Sequence, residues 1–298
     1  MIAPELTQCI LCPRKCRADR TKNKGFCGAG KQIRLARAAL HFWEEPCISG
    51  TNGSGAVFFS GCNLKCCFCQ NASISSQNFG AVITQNRLAE IFLELQEQGA
   101  HNINLVTAGH YLPQIIPVLE KTKPELRIPV IYNTSSYESV ENLKKLDGLI
   151  DIYLPDFKFF SSETAKKYAN APDYPEIAEK AIREMLQQTG EPVFKEDLLK
   201  TGCIIRHLVM PGHRQESIRL LHYLAENLNR GQFLLSLMAQ YTPMQNSVYP
   251  ELNRRITKME YQSVLRTAQE LNFSGYSQDK SSSNYEYTPD FNLEGVLR

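Results

Sequence analysis

The chain has 298 residues, 43% of them hydrophobic and 21% charged, with a formal net charge of +2. That length suits one large domain or one domain with an appendage, and the apolar share can build a sizeable core. The near-neutral balance argues against a polyanionic partner or a membrane surface, and no apolar run approaches the ~18 residues of a membrane-spanning helix. The first residues lack the basic segment and hydrophobic stretch of a secretory signal, so a cytoplasmic location is expected.

Nine of the ten cysteines fall within the first 69 residues. In a reducing compartment such crowding reads as metal thiolates rather than five disulfides. Residues 1–50 form a cysteine-rich, basic segment, with Arg14, Lys15, Arg17, Arg20, Lys22 and Lys24 in quick succession. Its spacing Cys9-x2-Cys12-x3-Cys16-x10-Cys27 supplies four thiolates, a complete set for a structural zinc ion. An auxiliary iron–sulfur cluster is the rival, because four thiolates serve both, and zinc is slightly preferred as a purely structural anchor. The interleaved cations invite a nucleic-acid reading, which the scarcity of aromatic residues before Phe26 disfavours. Cys47 and Cys203 read as ordinary buried thiols.

Residues 51–272 alternate apolar, strand-like runs at 55–60, 103–107, 128–132, 149–154, 203–209 and 233–238 with helical patterns. Leu88, Ile91, Phe92 and Leu95 share one helical face, as do Ile177, Ala178, Ala181, Ile182 and Met185. Ile218, Leu221, Ala225 and Leu228 give a third stripe, and Tyr261, Val264, Leu265, Ala268 and Leu271 a fourth. Six alternations predict an α/β fold with a parallel sheet, either a partial barrel or an open sheet, with its site at the carboxyl ends of the strands. Residues 273–298 are polar and aperiodic and read as a weakly ordered tail.

The first strand runs into Gly61-Cys62-x3-Cys66-Cys67-Phe68-Cys69, at the end where catalysis is expected. Three close thiolates suit a 4Fe–4S cluster and leave one iron without a cysteine. An open position of that kind separates a catalytic metal site from a structural one. Cys67 is the competing fourth ligand, although adjacent cysteines seldom turn to one metal. The motif, with an aromatic residue before its last cysteine, resembles the signature of the radical S-adenosylmethionine superfamily. That resemblance implies a partial (β/α)6 barrel, a 4Fe–4S cluster on Cys62, Cys66 and Cys69, and reductive cleavage of S-adenosylmethionine to a 5′-deoxyadenosyl radical that abstracts hydrogen.

Further motifs narrow the likeness. The Ser49-Gly50-Thr51-Asn52-Gly53-Ser54-Gly55 entry, Leu154-Pro155-Asp156-Phe157-Lys158 and Ile205-Arg206-His207 through Pro211-Gly212 are similar to glycyl-radical activating enzymes such as pyruvate formate-lyase activating enzyme. Glu44-Glu45-Pro46, Asn102 to Thr107, Tyr132-Asn133-Thr134 and Asp151 to Asp156 look like an uncharacterised iron–sulfur branch of that group. The resemblance implies that Arg206 forks the methionine carboxylate of the cofactor, a geometry lysine cannot copy. It also implies that Asp156, Asn133 and Thr134 hold a monovalent cation nearby, although Asn133 stands where those enzymes carry an aspartate. Lys158 pairs with Asp156 or with the cofactor. Where the superfamily often has Gly-Gly-Glu, this chain has Thr107-Ala108-Gly109-His110, so Gly109 keeps the close backbone approach and the carboxylate is missing. His110 reads as a packing residue, with a substrate-side acid or base as its alternative, and His207 as interior packing. No catalytic acid or base is assigned. The likeness implies a protein partner that supplies a glycine hydrogen, and a reductant such as flavodoxin or ferredoxin. The rivals are a radical enzyme acting on a peptide, nucleotide or small molecule, and a non-catalytic iron–sulfur or zinc protein.

Overall fold

The computed structural model describes residues 4–243, 247–278 and 289–298. In chain order its strands are β1 (Ile33–His41), β2 (Ser54–Phe59), β3 (Ala81–Ile83), β4 (Ile103–Val106), β5 (Val130–Thr134), β6 (Ile152–Pro155), β7 (Val193–Lys195), β8 (Leu198–Leu208), β9 (Leu234–Met238) and β10 (Gly275–Ser277). Its helices are α1 (Pro46–Ser49), α2 (Ala72–Ser75), α3 (Gln85–Glu97), α4 (Leu112–Thr122), α5 (Val140–Leu143), α6 (Ser162–Ala169), α7 (Tyr174–Thr189), α8 (Arg214–Asn227) and α9 (Lys258–Glu270). The strands lie in the order β10-β9-β8-β6-β5-β4-β2-β1-β3, with β7 paired to β8.

From β2 to β10 along that path every pairing is parallel. The six expected strands, β2, β4, β5, β6, β8 and β9, are its centre, and their inner residues are buried on both faces, as uninterrupted apolar runs require. The sheet is not closed, so the molecule is an α/β partial barrel. β1 and β3 extend one edge antiparallel.

Several boundaries move for local reasons. The expected strand at 149–154 begins only at Ile152, because Asp151 turns its carboxylate back to the Val130 N–H (2.7 Å) and to Lys123. β8 is longer than expected, since Leu198–Thr201 form a hairpin with β7. β1 was not expected in the cysteine-rich segment, yet it pairs along β2 from Leu35 to His41. α4 was not expected either. It begins with Pro113 in its first turn, where no N–H is needed, and tolerates Pro117 inside. In α8 the buried face is Ser217, Leu220, Leu221 and Leu224, about one residue round from the expected stripe.

Of the stretch expected to be weakly ordered, Gly275–Ser277 add to β9, and the serine run lies outside the described residues. Residues 289–298 return to β1. There the Leu293 N–H donates to the Ala36 carbonyl (3.0 Å), the Ala38 N–H to the Glu294 carbonyl (2.8 Å), and Val296 is fully buried. No helix among the described residues is long and apolar enough to cross a membrane.

Candidate active site

β2 delivers the cysteine loop to the carboxyl end of the sheet. Gly61 turns the chain with φ +95°, and a Cβ there would lie 2.5 Å from the Cys27 carbonyl, so only glycine fits. Cys62, Cys66 and Cys69 all line one cavity of about 560 Å³. Cys62 receives the Leu64 N–H on its sulfur (3.4 Å), and Cys69 receives the Ser75 hydroxyl (3.2 Å). Phe68 is buried among Phe159, Tyr168 and Tyr241, with ring centroids 6.0 to 6.2 Å away. That anchor sends Cys67 to the other side. Cys67 is exposed, its N–H bonds the Tyr168 carbonyl (2.8 Å), and its charged neighbours are Glu251 and Lys167.

Burial pushes the Cys66 thiol well up, while Lys158 opposes that shift. Such a thiol becomes a thiolate when a cation or metal compensates it. Among the described residues no three His, Cys, Asp or Glu side chains are arranged to hold a single metal ion. A cubane cluster takes each thiolate on a different iron, so three cysteines on one cavity wall suit it better than they suit one ion.

A network of charges lines the same cavity and reaches the thiols through Lys158. Arg206 donates to Glu44 Oε2 (2.8 Å) and to Asn133 Oδ1 (2.5 Å), and its Nε lies 3.3 Å from Asp156 Oδ1. Lys158 binds the other Asp156 oxygen (2.6 Å). Burial alone would raise the Asp156 carboxyl, but Lys158 and Arg206 outweigh it and hold it below the usual range. Burial would likewise lower Lys158, yet Asp156 and the nearby thiols Cys66 and Cys69 keep it charged. Burial raises the Glu45 carboxyl against the pull of Arg206, and its Oε2 has no hydrogen-bond partner. Asn104 donates to Glu44 Oε1 (2.9 Å) and leaves its own oxygen unpartnered.

The sequence-marked residues therefore meet, in part differently from expectation. Asn133, Thr134, Asp156, Lys158 and Arg206 all line the cavity with the three cysteines. The sequence gives Arg206 a free fork for a ligand carboxylate, whereas both its terminal nitrogens are already engaged by Glu44 and Asn133. Thr134 donates to Glu138 (2.7 Å). Gly109 lies outside the cavity lining, and the carboxylate absent from its own loop arrives from the loop after β5. A Cβ at position 109 would sit 2.5 Å from both Glu138 oxygens. Burial raises that carboxyl to about 7, with the Thr134 and Tyr132 hydroxyls opposing. His110 is buried against Tyr111, with Nε2 2.8 Å from the Ser60 carbonyl, and burial lowers its pKa to about 4. It packs, as does His207 between the Phe157 carbonyl and Ser217. Sequence reasoning missed Glu44, Glu45, Asn104 and His41 as site residues. The carboxylate pair ahead of Pro46 was their signal, whereas His41, which lines the cavity beside Phe58, had none.

The N-terminal cysteines gather outside the barrel, against its carboxyl-end loops. A Cβ on Gly25 would lie 3.5 Å from both the Cys16 and Cys27 sulfurs, and Cys9 and Cys12 share their electrostatic surroundings. Burial raises Cys12 to about 12. Two of the basic residues are spent internally. Arg20, 1% exposed, donates to the Gly30 and His110 carbonyls, and Arg14 donates to four backbone carbonyls.

Comparison with known proteins agrees with this architecture. The Radical SAM superfamily model matches residues 56–225. An uncharacterized protein of Methanocaldococcus jannaschii is 31% identical over 275 residues, covering 89% of this chain and 75% of its own. The fold is similar to that of a radical SAM methyltransferase from Sphaerobacter thermophilus, with a TM-score of 0.51 and 11% identity over 78% of this chain and 70% of that one. A domain of pyruvate-formate lyase-activating enzyme from Bacteroides vulgatus aligns with a TM-score of 0.42 and 14% identity over 57% of this chain and 92% of that one. Membership of the matched family implies a 4Fe–4S cluster and S-adenosylmethionine, and the three cavity-lining cysteines beside Lys158 are a donor set that fits them. With its motif cysteines on one wall of an open α/β barrel, and with the family model covering more than half its length, the chain belongs to the radical SAM superfamily.

Proposed function

We propose that the chain cleaves S-adenosylmethionine reductively and acts as a glycyl-radical-enzyme activase, taking hydrogen from a glycine of a partner protein. One observation carries the catalytic part: Cys62, Cys66 and Cys69 face one cavity while Cys67 faces away from it. When bound, the cluster supplies one electron to the sulfonium, so that methionine and a 5′-deoxyadenosyl radical result. The chain's residues hold and orient the reactants. Lys158 sets a fixed positive charge between the thiols and Asp156, where anionic groups gather. Asp156, Asn133 and Thr134 offer polar atoms to the cofactor from the cavity wall, and Gly109 lets Glu138 brace that wall from behind. Arg206, tied to Glu44 and Asn133, fixes the same wall.

The narrower part, a glycine donor, is supported by sequence likeness around Asp156, Lys158 and Arg206. A flavodoxin or ferredoxin serves as reductant in this reading. Cys9, Cys12, Cys16 and Cys27 would hold a second centre, zinc or an auxiliary iron–sulfur cluster, by drawing together around it, since no three of them are arranged for a single ion in this structure. A small-molecule substrate is the second reading, favoured by His41, Glu44 and Glu45 on the cavity wall. Anaerobic reconstitution with iron and sulfide, then dithionite and S-adenosylmethionine, should release 5′-deoxyadenosine. Its absence from a protein with full iron content would sink the catalytic reading. Mixing with a glycyl-radical enzyme should add the electron paramagnetic resonance doublet of a glycyl radical, and deoxyadenosine without that doublet points to the small-molecule reading. Metal analysis of Cys12→Ser identifies the second centre by what is lost.

A further inference from the structure

In sequence the interleaved cations of the N-terminal segment invite a nucleic-acid reading, disfavoured by the scarcity of aromatic residues. Arg14 is turned inward instead. Its Nε donates to the Asn63 carbonyl (2.9 Å), and one terminal nitrogen reaches the Leu64 and Ala169 carbonyls (3.4 and 2.8 Å). The other terminal nitrogen donates to the Asn170 carbonyl (2.5 Å). The guanidinium also lies 4.5 Å from the Phe26 ring centroid and 5.1 Å from that of Tyr137. Asn63 and Leu64 are two of the three residues between Cys62 and Cys66, and Ala169 and Asn170 end α6.

A second contact runs directly between the two backbones. The Cys62 N–H donates to the Cys27 carbonyl (3.0 Å), which joins a cysteine of the N-terminal set to the first cysteine of the cavity set. The remaining ties on the loop come from the barrel itself. The Asn63 amide donates to the Tyr137 carbonyl (2.7 Å), and the Cys67 N–H to the Tyr168 carbonyl. The stretch from Cys62 to Leu64 is therefore gripped on one side by the barrel and on the other by residues 14–27. Charge-assisted hydrogen bonds to carbonyls are about twice as strong as neutral ones. A planar guanidinium reaches several carbonyls at once, which the point charge of lysine cannot do.

We infer that the N-terminal cysteine segment is a clamp on the Cys62–Cys69 loop, and that Arg14 is the positioning residue through which it fixes where the cavity cysteines stand. The inference rests on the reading of that loop as the one that holds the cluster. Arg14 touches no reacting atom. It acts by tying the Asn63 and Leu64 carbonyls, between Cys62 and Cys66, to the end of α6, so that the two cysteines keep a fixed separation for their ligand.

Amide hydrogen exchange on the protein before iron–sulfur reconstitution of the cavity, with any metal of the N-terminal cysteines left in place, tests the clamp with no cavity cluster present. Arg14→Ala should raise exchange in peptides spanning 61–70 by about tenfold, while the barrel strands keep the parent's protection. Arg14→Lys should fall between the two, and Lys22→Ala, an exposed change in the same segment, should match the parent. On the reconstituted protein, Arg14→Ala should keep the parent's iron content, alter the electron paramagnetic resonance signal of the reduced cluster, and weaken S-adenosylmethionine binding. If loop exchange in both Arg14 variants equals the parent's, or rises only in step with every strand, the clamp is refuted. If the loop loosens while the resonance signal and cofactor binding stay at the parent's values, the positioning role is refuted. A parent that holds iron and releases no deoxyadenosine overturns the catalytic reading and leaves the exchange result standing.

Discussion

Cys66 and Cys67 are neighbours in the chain and share almost nothing else. The first lies beside Lys158 among the cavity thiols, and the second is exposed beside Lys167 and Glu251. Cys67→Ala should therefore keep the parent's iron content and visible absorbance, whereas alanine at Cys62, Cys66 or Cys69 should lose both. Loss of iron from Cys67→Ala would place a fourth cysteine on the metal. Glu138 makes a separate expectation. Its carboxyl ordinarily titrates at 4.5 and is raised to about 7 by burial. As pH rises the unfolded chain releases this proton first, so the contribution is fully present below pH 4.5, is lost toward pH 7 and stays flat above. The loss is about 3 kcal/mol at most. Glu138→Gln should thus gain stability relative to the parent between pH 5 and pH 8 in urea titrations. A pH-independent difference between the two would show that Glu138 is ionised throughout. The motif resemblance already set Cys67 apart from the three expected ligands, whereas Glu138 had no signal in sequence, because it meets Gly109 only across two neighbouring strands.

Helix ends and strand edges carry local signals that sequence shows well. α9 opens with a capping box in which Thr257 accepts the Glu260 N–H (3.1 Å) and Glu260 accepts the Thr257 N–H (2.8 Å). Glu260 also takes the Gly212 N–H (2.7 Å) and both terminal nitrogens of Arg254. Thr257→Ala should cost about 1 kcal/mol, and Glu260→Ala roughly 2 kcal/mol, because it also removes the bonds to the Gly212 N–H and to the solvent-exposed Arg254. Thermal melts of the two variants check the order, and equal effects would mean that the cap alone matters. The parallel strands were legible as unbroken apolar runs. β1 was not, since its alternation of arginine with alanine and leucine matches neither a helical nor a strand period cleanly. α4 was hidden by its two prolines, which break helices unless, as with Pro113, one stands in the first turn.

At the scale of the whole molecule, the chain's two ends meet the barrel on different sides. Residues 4–32 sit on the loops after β2, β4 and β5, through Arg14, Arg20 and Cys27. Residues 289–298 run along β1, where Phe291 packs edge-on against Phe58 (5.4 Å) and Glu294 pairs with Arg37 (2.8 Å). Arg87 of α3 donates to the Gly295 and Val296 carbonyls, which ties a helix to the same segment. Deleting residues 289–298 should lower unfolding stability by roughly 3 kcal/mol or more, from the buried Val296 and the half-buried Phe291. The urea midpoint measures it, and a midpoint equal to the parent's would mean that β1 needs no such cover.

The cysteine spacing, the alternation of strands with helices and the carboxyl-end position of the loop were determined by sequence alone, because each rests on neighbours a few residues apart. Tertiary structure decided the rest. Arg206 meets Glu44 across 162 residues of chain, and Arg14 meets Ala169 across 155. Which charges pair in a partial barrel depends on strand order and register, and the side chains that face one cavity are set by how the open sheet curves around it. A residue's type limits what it can bind; only the fold determines whether its binding capacity is already used.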